Sequence, residues 1–139
     1  MMYITERLLP EADRGYLYFA DITIDGDTFT KVGYSRNPNR RFKTDEFDDV
    51  EAHCTFKNII PLMDWMYQQA DFTPRNEYWE LVLHDVMRKA NLQYEPMHDF
   101  SGKTECYLLD STAYKAAIDF LEEQLTMMAP PNGWFIPYK

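Results

Sequence analysis

The sequence predicts a single α+β domain whose small antiparallel β-sheet begins with an N-terminal hairpin and is flanked by helices. Three observations carry this. Two runs of aromatic and β-branched residues flank an Asp25-Gly26-Asp27 turn; two later segments place apolar residues at helical spacing; and 139 residues at 45% hydrophobic content suffice for one core but not two. No repeat, low-complexity tract or linker divides the chain. It is therefore read as one domain over 1–139, with a motif-bearing core at about 15–109, a helix at about 112–127 and an aromatic tail at 129–139.

The hairpin pairs residues 15–24 with 28–35. Asn37-Pro38 follows, suited to cap and open a short helix over NRRFKTDEF, because proline at the first turn sacrifices no needed N–H. Residues 50–60 read as a third strand and PLMDWMYQQA as a short helix. Over 75–90, Trp79, Val82, Leu83, Val86 and Ala90 form an apolar stripe with Glu80 at its edge and Glu77, His84 and Arg88 opposite. Extended pieces at 92–97 and 103–109 precede the last helix, with Ser111 as N-cap and Tyr114, Ala117, Ile118, Leu121 and Leu125 as its buried stripe. The prolines of the tail exclude helix there, and Trp134 and Phe135 suggest that it docks.

No run approaches the roughly 20 apolar residues of a membrane span, and the N-terminus lacks the order of a secretory signal. A cytoplasmic protein without membrane contact is expected. Cys54 and Cys106 read as buried thiols in a reducing compartment. A zinc site can be drawn from Cys54, His84, His98 and Cys106, but nothing in their spacing selects it. The net charge of -9 is unusual for a phosphate-binding protein. It is unevenly spread: Lys31, Arg36, Arg40, Arg41 and Lys43 come without an acidic residue between them, followed at once by Asp45, Glu46, Asp48, Asp49 and Glu51. A local cationic patch can exist on an anionic protein.

The hairpin GYLYFADITIDGDTFTKVGYS followed by RNPNRRF resembles the start of a GIY-YIG nuclease domain. Leu17-Tyr18 is similar to the end of the first signature and Lys31-Val32-Gly33 takes the place of the second, with lysine where tyrosine is usual. Tyr16 occupies the usual glycine position of the first signature. Arg41 falls eight residues after Gly33, where the family has its catalytic arginine. Glu80 to His84 resembles the E-x-x-x-H stretch of the short branch common in bacteriophage and bacterial proteins. The run from Thr104 to Leu108 looks like a diverged form of the glutamate and aromatic pair that follows there.

The resemblance implies a metal-dependent endonuclease acting on nucleic acid, with DNA favoured. Hydrolysis needs a base for water, a cation near the non-bridging oxygens and help for the leaving oxygen. Tyr18 or Lys31 would accept the proton with Tyr16 beside them on the hairpin, and positive neighbours would have to lower a phenol or ammonium pKa from about 10. Arg41 would hold the scissile phosphate, and Glu80 would bind one Mg²⁺ or Mn²⁺. Arg36, Arg40, Lys43 and His84 would contact the nucleic acid. A homodimer is one route to double-strand cleavage. The alternative is a GIY-YIG-like protein without cleavage activity, binding or inhibiting a protein partner through its acidic surface.

Overall fold

The computed structural model describes residues 1–68 and 71–128. Its strands are β1 (Met2–Thr5), β2 (Tyr16–Ile24), β3 (Asp27–Ser35), β4 (Ala52–Pro61) and β5 (Cys106–Tyr107); its helices are α1 (Tyr78–Lys89) and α2 (Ser111–Thr126). The fold is α+β, as expected. The five strands form one sheet in the order β1-β4-β2-β3-β5.

The β2–β3 hairpin forms as the sequence indicates, with Tyr18 opposite Gly33 and Ala20 opposite Lys31. Asp25 (φ 50) and Gly26 (φ 81) both take the left-handed conformation, which matches the twist of the flanking strands in a two-residue turn. The third expected strand is β4, antiparallel to β2. The sheet is mixed rather than purely antiparallel because the N-terminal Met2–Thr5 adds parallel to β4.

Alternation of side chains divides the core in two. Leu17, Phe19 and Val32 point to one face, where Trp79, Leu83 and Met87 of α1 and Tyr114, Ile118 and Leu121 of α2 cover them. Tyr18, Ala20, Ile22 and Ile24 point to the other, which is closed by loop residues Phe42, Phe47 and Phe100. Both helices therefore lie on one side of the sheet.

Three local expectations differ. The segment after Asn37 is two separate 3₁₀ turns, Pro38–Arg40 and Asp45–Phe47, and Asn37 makes no side-chain cap bond. Asn39 instead clamps the backbone of Arg7 through its amide, 2.9 Å from the N–H and 2.8 Å from the carbonyl, and Phe42 and Phe47 both turn into the core. A continuous helix cannot meet those demands together. PLMDWMYQQA supplies only the 3₁₀ turn Asp64–Tyr67, because Gln68 leaves the helical region; Gln69 and Ala70 lie outside the described residues. The N-cap of α2 is Asp110, whose Oδ1 accepts the Ala113 N–H at 2.7 Å, one residue before Ser111. The stripe from Tyr114 to Leu125 is buried as expected.

Near residue 100, Gln93 bridges Tyr107, and Lys103–Glu105 forms a 3₁₀ turn leading into β5. Trp134, Phe135 and the rest of the tail lie outside the described residues. Among the described residues no helix is long and apolar enough to cross a membrane.

Candidate active site

Strand β5 is only two residues long and pairs with Thr30 and Lys31. Beyond it β3 continues through Gly33 to Ser35, and beside Lys31 the chemistry-bearing side chains meet. Lys31 is 1% exposed, and its Nζ donates to Glu105 Oε1 at 2.8 Å. The same ammonium lies 5.6 Å from the centroid of the Tyr18 ring. Two glycines make this packing possible. A Cβ on Gly33 would collide with the Tyr18 hydroxyl, and one on Gly102 (φ +91) would lie 2.7 Å from Lys31 Cε and 3.2 Å from Glu105 Oε1.

Helix α1 supplies the opposite wall. Glu80 and His84, one turn apart, face the same way. His84 Nε2 lies 3.3 Å from Glu80 Oε2 and 3.7 Å from Glu105 Oε2. On the far side of the ring, Nδ1 lies 2.6 Å from the Tyr107 hydroxyl, near the Arg88 guanidinium, which donates to the Thr104 carbonyl at 2.9 Å. The sequence stripe placed His84 on the face opposite the core, but the buried positions of α1 are Trp79, Glu80, Leu83, His84 and Met87. Val82 and Val86 are only partly buried and Ala90 is exposed. The helix is rotated because the polar pair, satisfied by Tyr107 and Glu105, occupies part of its inward face. His84, expected on the outer face as a nucleic-acid contact, is 2% exposed.

Tyr18 is fully buried, and its hydroxyl is the buried side-chain polar atom without a hydrogen-bond partner among the described residues. Burial drives its pKa well above the ordinary phenol value; the charge of Arg41 opposes this, while Glu80 and Glu105 add to it. The expected lowering of the Tyr18 pKa by positive neighbours is thus reversed: desolvation outweighs the guanidinium. Burial pushes the Glu105 carboxyl up, but the Lys31 charge and hydrogen bond, with His84 and Glu80, hold it below the usual carboxylate range.

The structure thus brings Tyr18, Lys31, Glu80 and His84 together and sets Arg41 within electrostatic reach. Arg41 is half-buried at the end of the Pro38–Arg40 turn, with its Cζ 5.6 Å from the Phe42 ring centroid. Tyr16 is not part of the cluster; its hydroxyl donates to the Pro10 carbonyl. Arg36 and Arg40 are exposed, and Lys43 pairs with Glu6 at 2.7 Å. Glu105, Tyr107 and Arg88 had no assigned role from sequence, although Glu105 and Tyr107 lie in the segment that resembles the family's final motif. Cys54 and Cys106 are buried in the apolar cluster of the other sheet face, which leaves the zinc arrangement without support.

Glu80, His84 and Glu105 could together hold a divalent ion, since one ligand atom from each lies within 4.8 Å of the others. Comparison with models of known protein families, with curated proteins and with solved structures finds no match to this chain.

Proposed function

We propose that this chain is a metal-dependent endonuclease that hydrolyses phosphodiester bonds in nucleic acid, with DNA as the favoured substrate. The observation that supports it most is the convergence of Tyr18, Lys31, Glu80 and Glu105, from three separate parts of the chain, in one cluster beside β5 at the edge of the sheet. In this reading Arg41 grips the scissile phosphate, and its half-buried position limits competition from water. Lys31, charged and donating to Glu105, stabilises negative charge on the non-bridging oxygens. Tyr18 stays a neutral phenol packed behind the Lys31 ammonium, and the attacking water gives its proton to solvent as the P–O bond breaks. A Mg²⁺ or Mn²⁺ ion held by Glu80 would supply charge stabilisation at the leaving oxygen. Exposed Arg36 and Arg40 extend the phosphate-binding surface towards flanking nucleotides.

A second reading, a protein-binding or inhibitory role without cleavage, draws on the exposed Asp45, Asp48 and Asp49 directly after the basic segment. One experiment separates the two. Purified protein is incubated with supercoiled plasmid, single-stranded DNA and RNA in Mg²⁺, Mn²⁺ or EDTA, beside folded Arg41→Ala and Glu80→Ala variants. Metal-dependent cleavage that falls by about 100-fold or more in both variants supports the nuclease. A folded wild type that cuts nothing transfers the weight to the protein-binding reading.

A further inference from the structure

We infer that Glu80, His84 and Glu105 form a three-ligand site selective for a first-row transition dication, such as Mn²⁺ or Co²⁺, over Mg²⁺. This deepens the proposed function at the same cluster and rests on that reading only for the ion's use in cleavage.

The geometry divides the donors with little ambiguity. Glu105 gives Oε1 to Lys31 at 2.8 Å and turns Oε2 towards His84 at 3.7 Å. Glu80 turns Oε2 towards the same imidazole nitrogen at 3.3 Å. Three donor atoms, one from each residue, thus lie within 4.8 Å of one another. Ligands at about 2.0–2.2 Å from a shared ion need to close only slightly from this spacing. Lys31 fixes the Glu105 carboxylate, as hydrogen-bonded partners fix ligating carboxylates in metal sites generally.

His84 is held in the same manner. Its Nδ1 meets the Tyr107 hydroxyl at 2.6 Å, and the two rings stack with centroids 5.7 Å apart. With Nδ1–H given to the phenol oxygen, the Nε2 lone pair faces two carboxylate oxygens, and a cation reconciles three converging acceptors. A second observation comes from Tyr18, whose hydroxyl is buried without a hydrogen-bond partner and whose ring centroid lies 5.6 Å from the Lys31 ammonium that holds Glu105. Net charge agrees: two carboxylates against one ammonium leave the cluster at about -1 with neutral imidazole, and a dication reverses its sign in favour of a phosphate. The preference follows from donor chemistry. Mg²⁺ keeps to oxygen ligands and retains its waters, whereas an imidazole nitrogen favours transition ions.

The test reads binding in the absence of nucleic acid. Metal-stripped protein is titrated with Mn²⁺, Co²⁺ and Mg²⁺ by calorimetry, and Co²⁺ is followed by its visible absorption. Wild type is expected to bind one Mn²⁺ or Co²⁺ per chain at least tenfold more tightly than Mg²⁺. His84→Gln is expected to lower that affinity tenfold or more while changing Mg²⁺ binding less than threefold, and Glu105→Gln to weaken all three ions. A His53→Ala/His98→Ala double variant, which removes the surface imidazoles, keeps wild-type affinity. Should His84→Gln fail to fold, Tyr107→Phe tests the same site by releasing the ring, with an expected tenfold loss of Co²⁺ affinity. Absence of transition-ion binding by folded wild type, equal affinity for Mg²⁺, or loss of binding only in the His53/His98 variant overturns the site. Tight Mn²⁺ binding by a protein that cuts no nucleic acid upholds the site and removes the nuclease reading; cleavage with Mg²⁺ but no imidazole-dependent binding does the reverse.

Discussion

The Lys31 ammonium and the Glu105 carboxylate hold each other at 2.8 Å across the seam between β3 and the turn that opens β5, with the lysine side chain 1% exposed and the glutamate 29%. The two partners are unequal. Glu105→Gln strands a buried ammonium and is expected to cost on the order of 3 kcal/mol, whereas Lys31→Met leaves a carboxylate that solvent partly screens and costs about 1 kcal/mol. The Lys31→Met/Glu105→Gln double variant should cost less than the sum. Urea unfolding of all four proteins measures this, and additivity within about 0.3 kcal/mol would show that the pair is not coupled.

Tyr18 sets stability against function. Its hydroxyl is buried without a partner, and such a group carries a desolvation penalty of about 1–3 kcal/mol. Tyr18→Phe is therefore expected to stabilise the fold by about 1 kcal/mol while lowering cleavage at least tenfold. Melting curves and plasmid cleavage rates on one preparation check both halves. Unchanged stability would mean that the hydroxyl is satisfied in solution; unchanged cleavage would remove Tyr18 from the chemistry.

Two glycines with positive φ separate backbone strain from site packing. Gly26 (φ +81) has open space where a Cβ would be, whereas at Gly102 (φ +91) a Cβ would press on Lys31 and Glu105. Gly26→Ala should cost only the left-handed backbone penalty of about 1–2 kcal/mol and leave cleavage intact. Gly102→Ala should cost more and depress cleavage severalfold, because Lys31 and Glu105 must move apart. Equal effects on both readouts would show that Lys31 yields freely.

What the sequence revealed and what it hid follow from where each structural instruction resides. The β2–β3 hairpin and the α2 stripe are encoded locally, by Asp25-Gly26 between alternating residues and by Tyr114 to Leu125 at helical spacing. The strand Met2–Thr5 was invisible because four residues become a strand only through their pairing with β4. The inward face of α1 was misplaced because hydropathy assigns polar residues to water, while Glu80 and His84 are buried through partners 20 or more residues away. Of the cluster, Tyr18, Lys31 and Glu80 were reached through ordered motifs. Glu105 and Tyr107 lay in the segment that resembles the final motif but carried no role, because their partners Lys31 and His84 are distant in sequence.

The start of α2 gives a compact check on helix capping. Asp110 Oδ1 accepts the Ala113 N–H at 2.7 Å, while Ser111 is already inside the helix. Asp110→Ala should cost about 1 kcal/mol and Ser111→Ala a few tenths at most. Urea midpoints distinguish them, and a reversed order would restore Ser111 as the cap.

High pH should weaken the fold through two buried thiols and a buried phenol. Burial pushes the thiols of Cys54 and Cys106 and the phenol of Tyr107 each up to about 12. In the unfolded chain thiols release their protons near about 8.5 and phenols near about 10. Above those values the unfolded state binds fewer protons than the folded state, so stability is fully present below about pH 8.5 and is lost as pH rises towards 12. Each thiol contributes a slope of about 1.4 kcal/mol per pH unit over that window. Urea midpoints from pH 7.5 to 10.5 should fall progressively, and Cys54→Ala/Cys106→Ala should flatten the early part of the decline despite its lower starting stability. In parallel, both thiols should react with an aromatic disulfide at pH 8 at least 100-fold more slowly in native protein than in urea. Rapid native modification of either thiol would show that it is neither buried nor held protonated, and the expected alkaline slope would lose that cysteine's share.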